Sequence, residues 1–422
     1  MWKMIKDFHI EMSRGLAGRP SSLKMLPAYV DRPTGREKGK FIALDLGGTN
    51  FRVLDICLKG SGASSKPRAM KFVLKKKLVK GSADPLFGFL ADSISRFLRK
   101  EKIGPARAID MGFTFSFPMK QKGVASGSLV LWTKGFNVRG VIGKDVVALL
   151  KKALDKKGLG RVRIAALAND TVGTMVARSY SDPHCDVGVI IGTGTNACYA
   201  EKLANIRKLN GPKMGSMIVN IEWGNFNKLE KTSYDSELDA SSDRPGEQVL
   251  EKMVSGMYIG ELARLVIKGL IGKKAIFNGT SSPGLEKAYN FRTEYVSEAA
   301  SDRSHNLGKM KSRLKSLGIP NSTLEDRRTV KSVCEMVSAR AARVSGAAVA
   351  AVITRMDPTL SKMHTVAVDG SVYEKLPRFS KNIAKALQEI FGRKAGRIRL
   401  VLTKDGSGKG AAIIAAVAAS GE

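Results

Sequence analysis

Histidine and cysteine are scarce in this chain, and the few present are scattered. The four cysteines, Cys57, Cys185, Cys198 and Cys334, show no CxxC spacing. That excludes a disulfide framework and points to reduced thiols in a cytosol-like compartment. The four histidines, His9, His184, His305 and His364, lie far apart, so no zinc site is legible. No apolar run of membrane-spanning length is evident. The opening stretch, MWKMIKDFHIEMSRGL, lacks the apolar core and cleavage pattern of a signal peptide. A soluble, cytoplasmic protein without a membrane partner is the expectation. Acidic residues are also few, 38 against 71 lysines and arginines, which leaves a net charge of +33. Such an excess suits an anionic partner, nucleic acid included. Yet aromatics make up only 6% of the chain, and apart from short clusters such as Lys75-Lys76-Lys77 the basic residues are spread along its length. That is surface composition rather than a nucleic-acid reading head.

What is present is enough for two or three domains: 422 residues, 43% hydrophobic and 26% charged. The organising stretch is residues 41–57, FIALDLGGTNFRVLDIC. An apolar run closes on one carboxylate, Asp45. The turn Gly47-Gly48-Thr49-Asn50 follows, then a second apolar-rich run. Two short runs of this kind around Gly-Gly read as a β-hairpin. The glycines leave backbone N–H groups open to an anion, because no Cβ stands in the way. Asp45 beside that turn is placed to hold a cation, directly or through water, as Mg²⁺ prefers. Alone, a Gly-Gly turn is more often plain structure than a phosphate site. A second copy shifts the balance: residues 187–201, VGVIIGTGTNACYAE, align with the first turn when LDLGGTNFRV is laid over VIIGTGTNAC. One hairpin per lobe, facing a shared cleft, resembles the actin-like architecture of sugar kinases and heat-shock ATPases. There both turns grip one chain of phosphates.

The rest of the chain alternates as an α/β protein does. Residues 69–79 read as a strand. Asp84-Pro85 reads as a helix cap and first turn, with Leu86, Leu90, Ile94 and Phe97 following at helical spacing. Residues 109–117 predict a strand running into Pro118, and 143–157 an amphipathic helix. A strand over 161–167 ends at Ala168-Asn169-Asp170-Thr171, from which a helix departs. Residues 225–246 look polar and loop-rich, 247–270 one long helix, and 324–356 an Ala-rich helix. Strands are expected at 364–369 and 397–402, and DGSGK at 405–409 opens a last helix of small residues.

One stretch carries a resemblance. Residues 112–136, GFTFSFPMKQKGVASGSLVLWTKGF, resemble the sugar-binding signature of the eukaryotic-type hexokinases, the family that includes glucokinase. LDLGGTNFRV, LANDTVGT, IGTGTNACY, NIEWGNF, RPGEQVLEKM, VDGSVY and DGSGKGAA follow that family in order, as do EMSRGL and SLKMLP near the start. The likeness covers essentially the whole chain as one unit, with no duplicated second half. It implies the two-lobed actin-like fold, with a hexose in the cleft and ATP across its mouth. The small domain is then expected over 41–168 plus 406–422, and the large domain over 1–40 plus 169–405.

The resemblance also implies roles. Phosphoryl transfer to an alcohol needs alignment, charge neutralisation and a base for the hydroxyl proton. An acid at a strand end before a helix is more often an N-cap than a base. The match of Asp170 to the family's Asn-Asp-Thr motif implies the base. Ser116, Thr133, Lys134, Asn169, Asp170, Asn196, Glu222 and Glu251 would hold the sugar, with Asn220 a weaker candidate and Lys134 also near the transferring phosphoryl. Asp45 would organise Mg²⁺ through water. Gly47, Gly48, Thr49, Asn50 and Arg52 would lie beside the phosphates from one lobe, and Gly192, Thr193 and Gly194 from the other. Gly370, Ser371, Thr293 and Ser297 match the adenosine side. Gly406-Ser407-Gly408 is either a hinge-adjacent turn or a plain one.

The expected activity is ATP-dependent phosphorylation of the 6-hydroxyl of glucose or a related hexose, the entry step of glycolysis, with the lobes closing over the sugar to exclude water. A non-catalytic sugar sensor is the rival from another class. The co-occurrence of Asp170, Lys134 and Asp45 weighs against it. A third reading keeps the enzyme and makes polyphosphate the donor. The preferred hexose and the choice between monomer and homodimer are not legible.

Overall fold

Two sheets form, one around each glycine hairpin. The computed structural model describes residues 1–47, 50–104, 108–133, 135–211 and 214–420, except the side chains of Asn50 and Ser420. In the first sheet Lys38–Leu46 pairs antiparallel with Asn50–Gly60, which in turn pairs with Arg68–Val73. On its other side Lys38–Leu46 runs parallel to Ile109–Phe115, and that strand parallel to Val162–Ala168. The second sheet repeats the plan. Cys185–Ile191 pairs antiparallel with Thr195–Lys202, which pairs with Ser216–Asn220. Cys185–Ile191 then runs parallel to His364–Asp369, and that strand to Ile398–Leu402. The repeat read in the two turns is therefore a repeat of whole sheets. Strands buried on both faces read as near-continuous apolar runs, which is why FIALDL shows no alternation.

Each sheet has its own core. Around the first, Phe51, Phe97, Phe113 and Phe115 pack with helices Ala83–Lys100 and Val146–Asp155. Around the second, Trp223, Phe226, Phe291 and Phe379 pack with the long helix Leu324–Met356. A third cluster, including Ala43, Val172, Met175, Ala367 and Ile413, joins the two sheets. It is built by helices Asp170–Ser179 and Gly406–Ser420, which cross so closely that only glycine fits. A Cβ on Gly410 would stand 1.9 Å from the carbonyl oxygen of Gly173, and one on Gly112 1.9 Å from that of Ala411. The small-residue character of the last helix follows from this contact.

Several expectations are corrected. The strand at 69–79 stops at Val73, and a short helix, Lys76–Val79, follows. The next helix is entered from Ser82, and Asp84 lies within its first turn. The polar stretch 225–246 contains a helix, Ser233–Ala240, with a full Thr232/Asp235 capping box that its T-S-Y-D spacing would have shown. The single helix expected over 247–270 is two, Val249–Val254 and Ile259–Gly272, broken around Gly256. Gly406-Ser407-Gly408 is the first turn of the last helix rather than a turn between elements. Leu324–Met356 is long and apolar enough to cross a membrane, contrary to the sequence reading, but 67% of its apolar window is buried inside the molecule, as befits a core helix.

Candidate active site

Strand Val162–Ala168 delivers Asn169 and Asp170 to the gap between the two glycine turns. The cap question is settled here by geometry. Asn169 is the N-cap of helix Asp170–Ser179: its Oδ1 accepts from the Thr171 backbone N–H at 3.0 Å and from the Thr171 hydroxyl at 2.8 Å. Asp170 is the first helical residue, half-buried, with Oδ1 accepting the Thr171 N–H at 2.9 Å. Capping therefore does not require Asp170 to be an acid.

Beside it stands a cluster of amides and one carboxylate. Asn196, near the start of strand Thr195–Lys202, donates from Nδ2 to Asn220 Oδ1 at 2.8 Å and to Glu222 Oε1 at 3.2 Å, with Asn169 Oδ1 at 3.5 Å. Asn220 Nδ2 donates to Glu222 Oε1 at 2.9 Å. Glu222 takes a left-handed backbone, φ 56°, a conformation that a non-glycine residue adopts only under constraint. Asn169, Asn220 and Glu222 are all buried. Glu251 joins from another direction. Its Oε2 accepts the Thr195 N–H at 2.8 Å and lies 2.7 Å from where a Cβ on Gly194 would sit. Trp223 Nε1 donates to the Thr195 hydroxyl at 2.9 Å, so the second turn is anchored from two sides.

Ser116 is buried next to the first turn, 3.8 Å from the Cβ position of Gly47, and its N–H donates to the Leu46 carbonyl at 3.0 Å. Thr133 is half-buried in a loop fixed by aromatic packing. Phe117 and Trp132 meet edge-on at 4.8 Å between centroids, and Trp132 stacks on Phe136 at 5.3 Å. Arg244, from the segment after helix Ser233–Ala240, donates to the Trp132 carbonyl at 3.1 Å and so ties the two sides of the gap together. Lys134, Gly48 and Thr49, and the side chain of Asn50, lie outside the described residues.

On the other flank, Asp45 and Arg52 face each other in register at the hairpin end. Arg52 donates to Asp45 Oδ2 from Nη2 at 2.5 Å and Nε at 3.2 Å, and Ser407 donates to the same oxygen at 2.9 Å. Arg52 also pairs with Asp405. Burial pushes the guanidinium down, and Asp45 and Asp405 more than offset it. Asp369, at the end of His364–Asp369, accepts the Gly370 N–H at 2.7 Å. Burial, with help from nearby Asp405, lifts its carboxyl above the ordinary value.

The second turn is stitched to the helix break. The Gly256 N–H donates to the Gly192 carbonyl at 2.7 Å and the Met257 N–H to that of Thr193 at 3.1 Å. Gly370 follows with φ 118°, and a Cβ there would stand 2.3 Å from the Ile191 carbonyl, so no other residue fits. Beyond it opens a cavity of about 570 Å³ whose walls include Thr193, Gly256, Phe291, Thr293, Ser297 and Ser371. Thr293 and Ser297 also have local duties. Thr293 Oγ1 donates to the Gly256 carbonyl at 2.7 Å and accepts the Gly260 N–H at 2.9 Å, and Ser297 donates to the Lys375 carbonyl at 3.2 Å.

Two hexokinase family models match the chain, one over residues 1–180 and the other over 186–417. Rice Hexokinase-2 is 42% identical over 424 residues, covering 96% of this chain and 86% of the rice protein. Hexokinase-1 of Arabidopsis thaliana is 41% identical, with 96% and 86% covered. The chain belongs to the hexokinase family. A solved hexokinase from Schistosoma mansoni, complexed with glucose, superimposes with a TM-score of 0.88 at 38% identity, covering 98% of this chain and 94% of that one. The fold is accordingly the two-lobed, actin-like sugar-kinase fold.

Within this hexokinase-family site, the sequence reading under-ranked or missed several residues. Asn220 is as central to the amide cluster as Asn196; the Asn-Ile-Glu spacing puts Asn220 and Glu222 close together, but spacing alone cannot rank them. Asp369, Asp405 and Ser407 sit in the motifs VDGS and DGSGK, yet their convergence on Arg52 and Asp45 arises only when the chain's ends meet. Arg244 opens the motif RPGEQVLEKM, but nothing in that string shows it reaching the Trp132 carbonyl, and the Gly256 break had no legible signal.

Proposed function

We propose that this chain is an ATP-dependent hexokinase that transfers the γ-phosphoryl of ATP to the 6-hydroxyl of glucose or a related hexose. The observation that carries the reading is the Asn169–Asn196–Asn220–Glu222 cluster beside Asp170, set between two glycine turns. Sugar hydroxyls both donate and accept, so a site for them needs amides and carboxylates in opposed pairs. This cluster supplies both. Ser116, Thr133, Lys134 and Glu251 complete the sugar's surroundings in this reading.

Asp170 is the general base: it takes the hydroxyl proton as the oxygen attacks phosphorus. The N-cap of the helix is the preceding residue, Asn169. Lys134 neutralises charge on the phosphoryl being transferred. Gly47, Gly48, Thr49 and Asn50, and across the cleft Gly192, Thr193 and Gly194, approach the phosphates with backbone N–H groups, while the nucleoside extends past Gly370 and Ser371 into the 570 Å³ cavity edged by Thr293 and Ser297. Mg²⁺, when bound, would neutralise the phosphate oxygens. Asp45, beside the first glycine turn, would hold it through water; Arg52 and Ser407 both donate to its Oδ2. Arg52 holds that carboxylate in place and adds its own charge.

The lobes are taken as 41–168 with 406–422 and 1–40 with 169–405. Closure over the hexose would keep water, the competing nucleophile, from the phosphoryl group. The setting proposed is the cytoplasm, without a nucleic-acid partner. A panel of hexoses with ATP·Mg, followed by coupled ADP release, tests the function directly. Sugar-dependent ADP release with stoichiometric hexose 6-phosphate is expected. Binding of hexose without formation of hexose 6-phosphate, from ATP or from polyphosphate, would favour the sensor instead.

A further inference from the structure

Far from the cleft, helix Trp2–Leu16, the end of helix Leu324–Met356 with the loop after it, and the end of helix Phe379–Phe391 wall a second cavity, of about 950 Å³. Its floor is apolar: Ile5, Leu360 and Ile390 are 3%, 1% and 8% exposed, and Phe391 adjoins them. Its rim is basic. Lys6, Arg14, Arg19, Arg207 and Lys394 line it, and no aspartate or glutamate does. Arg14 is partly used by Glu11 at 3.2 Å, and Lys394 by the Thr359 carbonyl at 3.0 Å. Among the described residues Lys6, Arg19 and Arg207 have no acidic partner. His9 is tied off, with Nε2 at 2.8 Å from the Ala351 carbonyl and 3.1 Å from the Thr354 hydroxyl. Trp2, 60% exposed, adds an apolar edge.

We propose that this cavity binds a small amphiphilic anion: an apolar body of fatty-acyl size with one carboxylate or phosphate head. A recessed apolar floor gains by excluding water from a hydrocarbon body. Unpaired cations at the mouth gain from an anionic head that leaves its tail below.

The experiment titrates the full chain with dodecanoate below its micellar concentration, followed by calorimetry and tryptophan fluorescence. Trp132 and Trp223 are 4% and 0% exposed, so a change in emission reports Trp2. Saturable one-to-one binding with a blue shift is expected. The triple variant Lys6→Glu/Arg19→Glu/Arg207→Glu should bind at least tenfold more weakly, with its melting temperature and hexokinase turnover unchanged. Dodecyl maltoside, a neutral chain of the same length, should bind the wild type at least tenfold more weakly. Dodecyl phosphate and dodecanoate together define which head is preferred. Absence of saturable binding, equal binding of the neutral chain, undiminished affinity in the triple variant, or a response only to phosphatidylserine vesicles would each overturn the proposal. The neutral-chain comparison stands even if the triple variant folds poorly.

Discussion

At the scale of single residues, the cluster proposed to hold the sugar is a set of side chains that satisfy one another. Asn220 holds Glu222 and Asn196 at 2.9 and 2.8 Å. Replacing it by alanine leaves buried Glu222 and half-buried Asn196 each short of a bond, a cost of about 1–3 kcal/mol. Asn220→Ala should therefore raise the hexose KM by about 5- to 100-fold, with a small effect on the ATP KM; steady-state kinetics against both substrates checks this. Arg52 belongs to the proposed nucleotide side. Arg52→Met removes the partner of Asp45 and Asp405, and the ATP KM should rise at least tenfold while hexose affinity, measured calorimetrically, stays put. Asp170 was legible as an acid between strand and helix, but its role rested on likeness. The structure adds that the residue before it does the capping. That could not be read from the string Asn-Asp-Thr, where either acid or amide makes a good cap. Burial pushes the Cys185 thiol up to about 12, and those of Cys198 and Cys334 higher still, which holds all three protonated.

At the scale of elements, glycines set how closely helices and turns approach. Gly410→Ala would drive a methyl to within 1.9 Å of the Gly173 carbonyl, and backbone cannot yield as a side chain can. A loss of about 1–3 kcal/mol or more is expected from such overpacking. Gly396→Ala, with nothing within 4 Å, should stay within about 0.5 kcal/mol of wild type. Paired chemical denaturation curves test both. The far end of strand His364–Asp369 carries a pH-dependent anchor. Burial pushes His364 down, but Asp186 at 2.7 Å and Asp357 at 3.4 Å more than offset it, and its pKa ends above the ordinary 6.5. The stabilisation is therefore complete below pH 6.5 and is lost as pH rises through the higher folded value. Asp357, opposed by burial but held by the Lys362 and Ser361 N–H groups and by His364, is pushed down to about 2. Its contribution is present above the unfolded carboxylate range and fades as pH falls toward 2. Thermal melts from pH 6 to pH 8.5 should show a declining melting temperature that His364→Gln flattens. The hairpins, most strands and the Ala-rich helix were readable because each has one dominant period or turn. The helix break near Gly256 was not, since residues 247–270 keep a helical pattern throughout and only the contact with Gly192 and Thr193 reveals why the helix must stop.

At the scale of the molecule, two sheets of the same plan are joined by helices Asp170–Ser179 and Gly406–Ser420, and Arg244 bridges the opening between them. The repeat was visible in the sequence as two glycine turns. The assembly of Asp45, Arg52, Asp369 and Asp405 was not, because it needs residues more than 300 positions apart to meet. Hexose should draw the lobes together, lowering the radius of gyration by solution scattering; identical profiles with and without glucose would count against closure. The decisive measurement is turnover and hexose binding by Asp170→Ala, side by side. Loss of kcat by about 10²- to 10⁴-fold, with the calorimetric Kd for hexose within about threefold of wild type, is the expected result. Turnover near the wild-type rate would contradict the assignment of Asp170 as base, and with it the catalytic reading of the cleft.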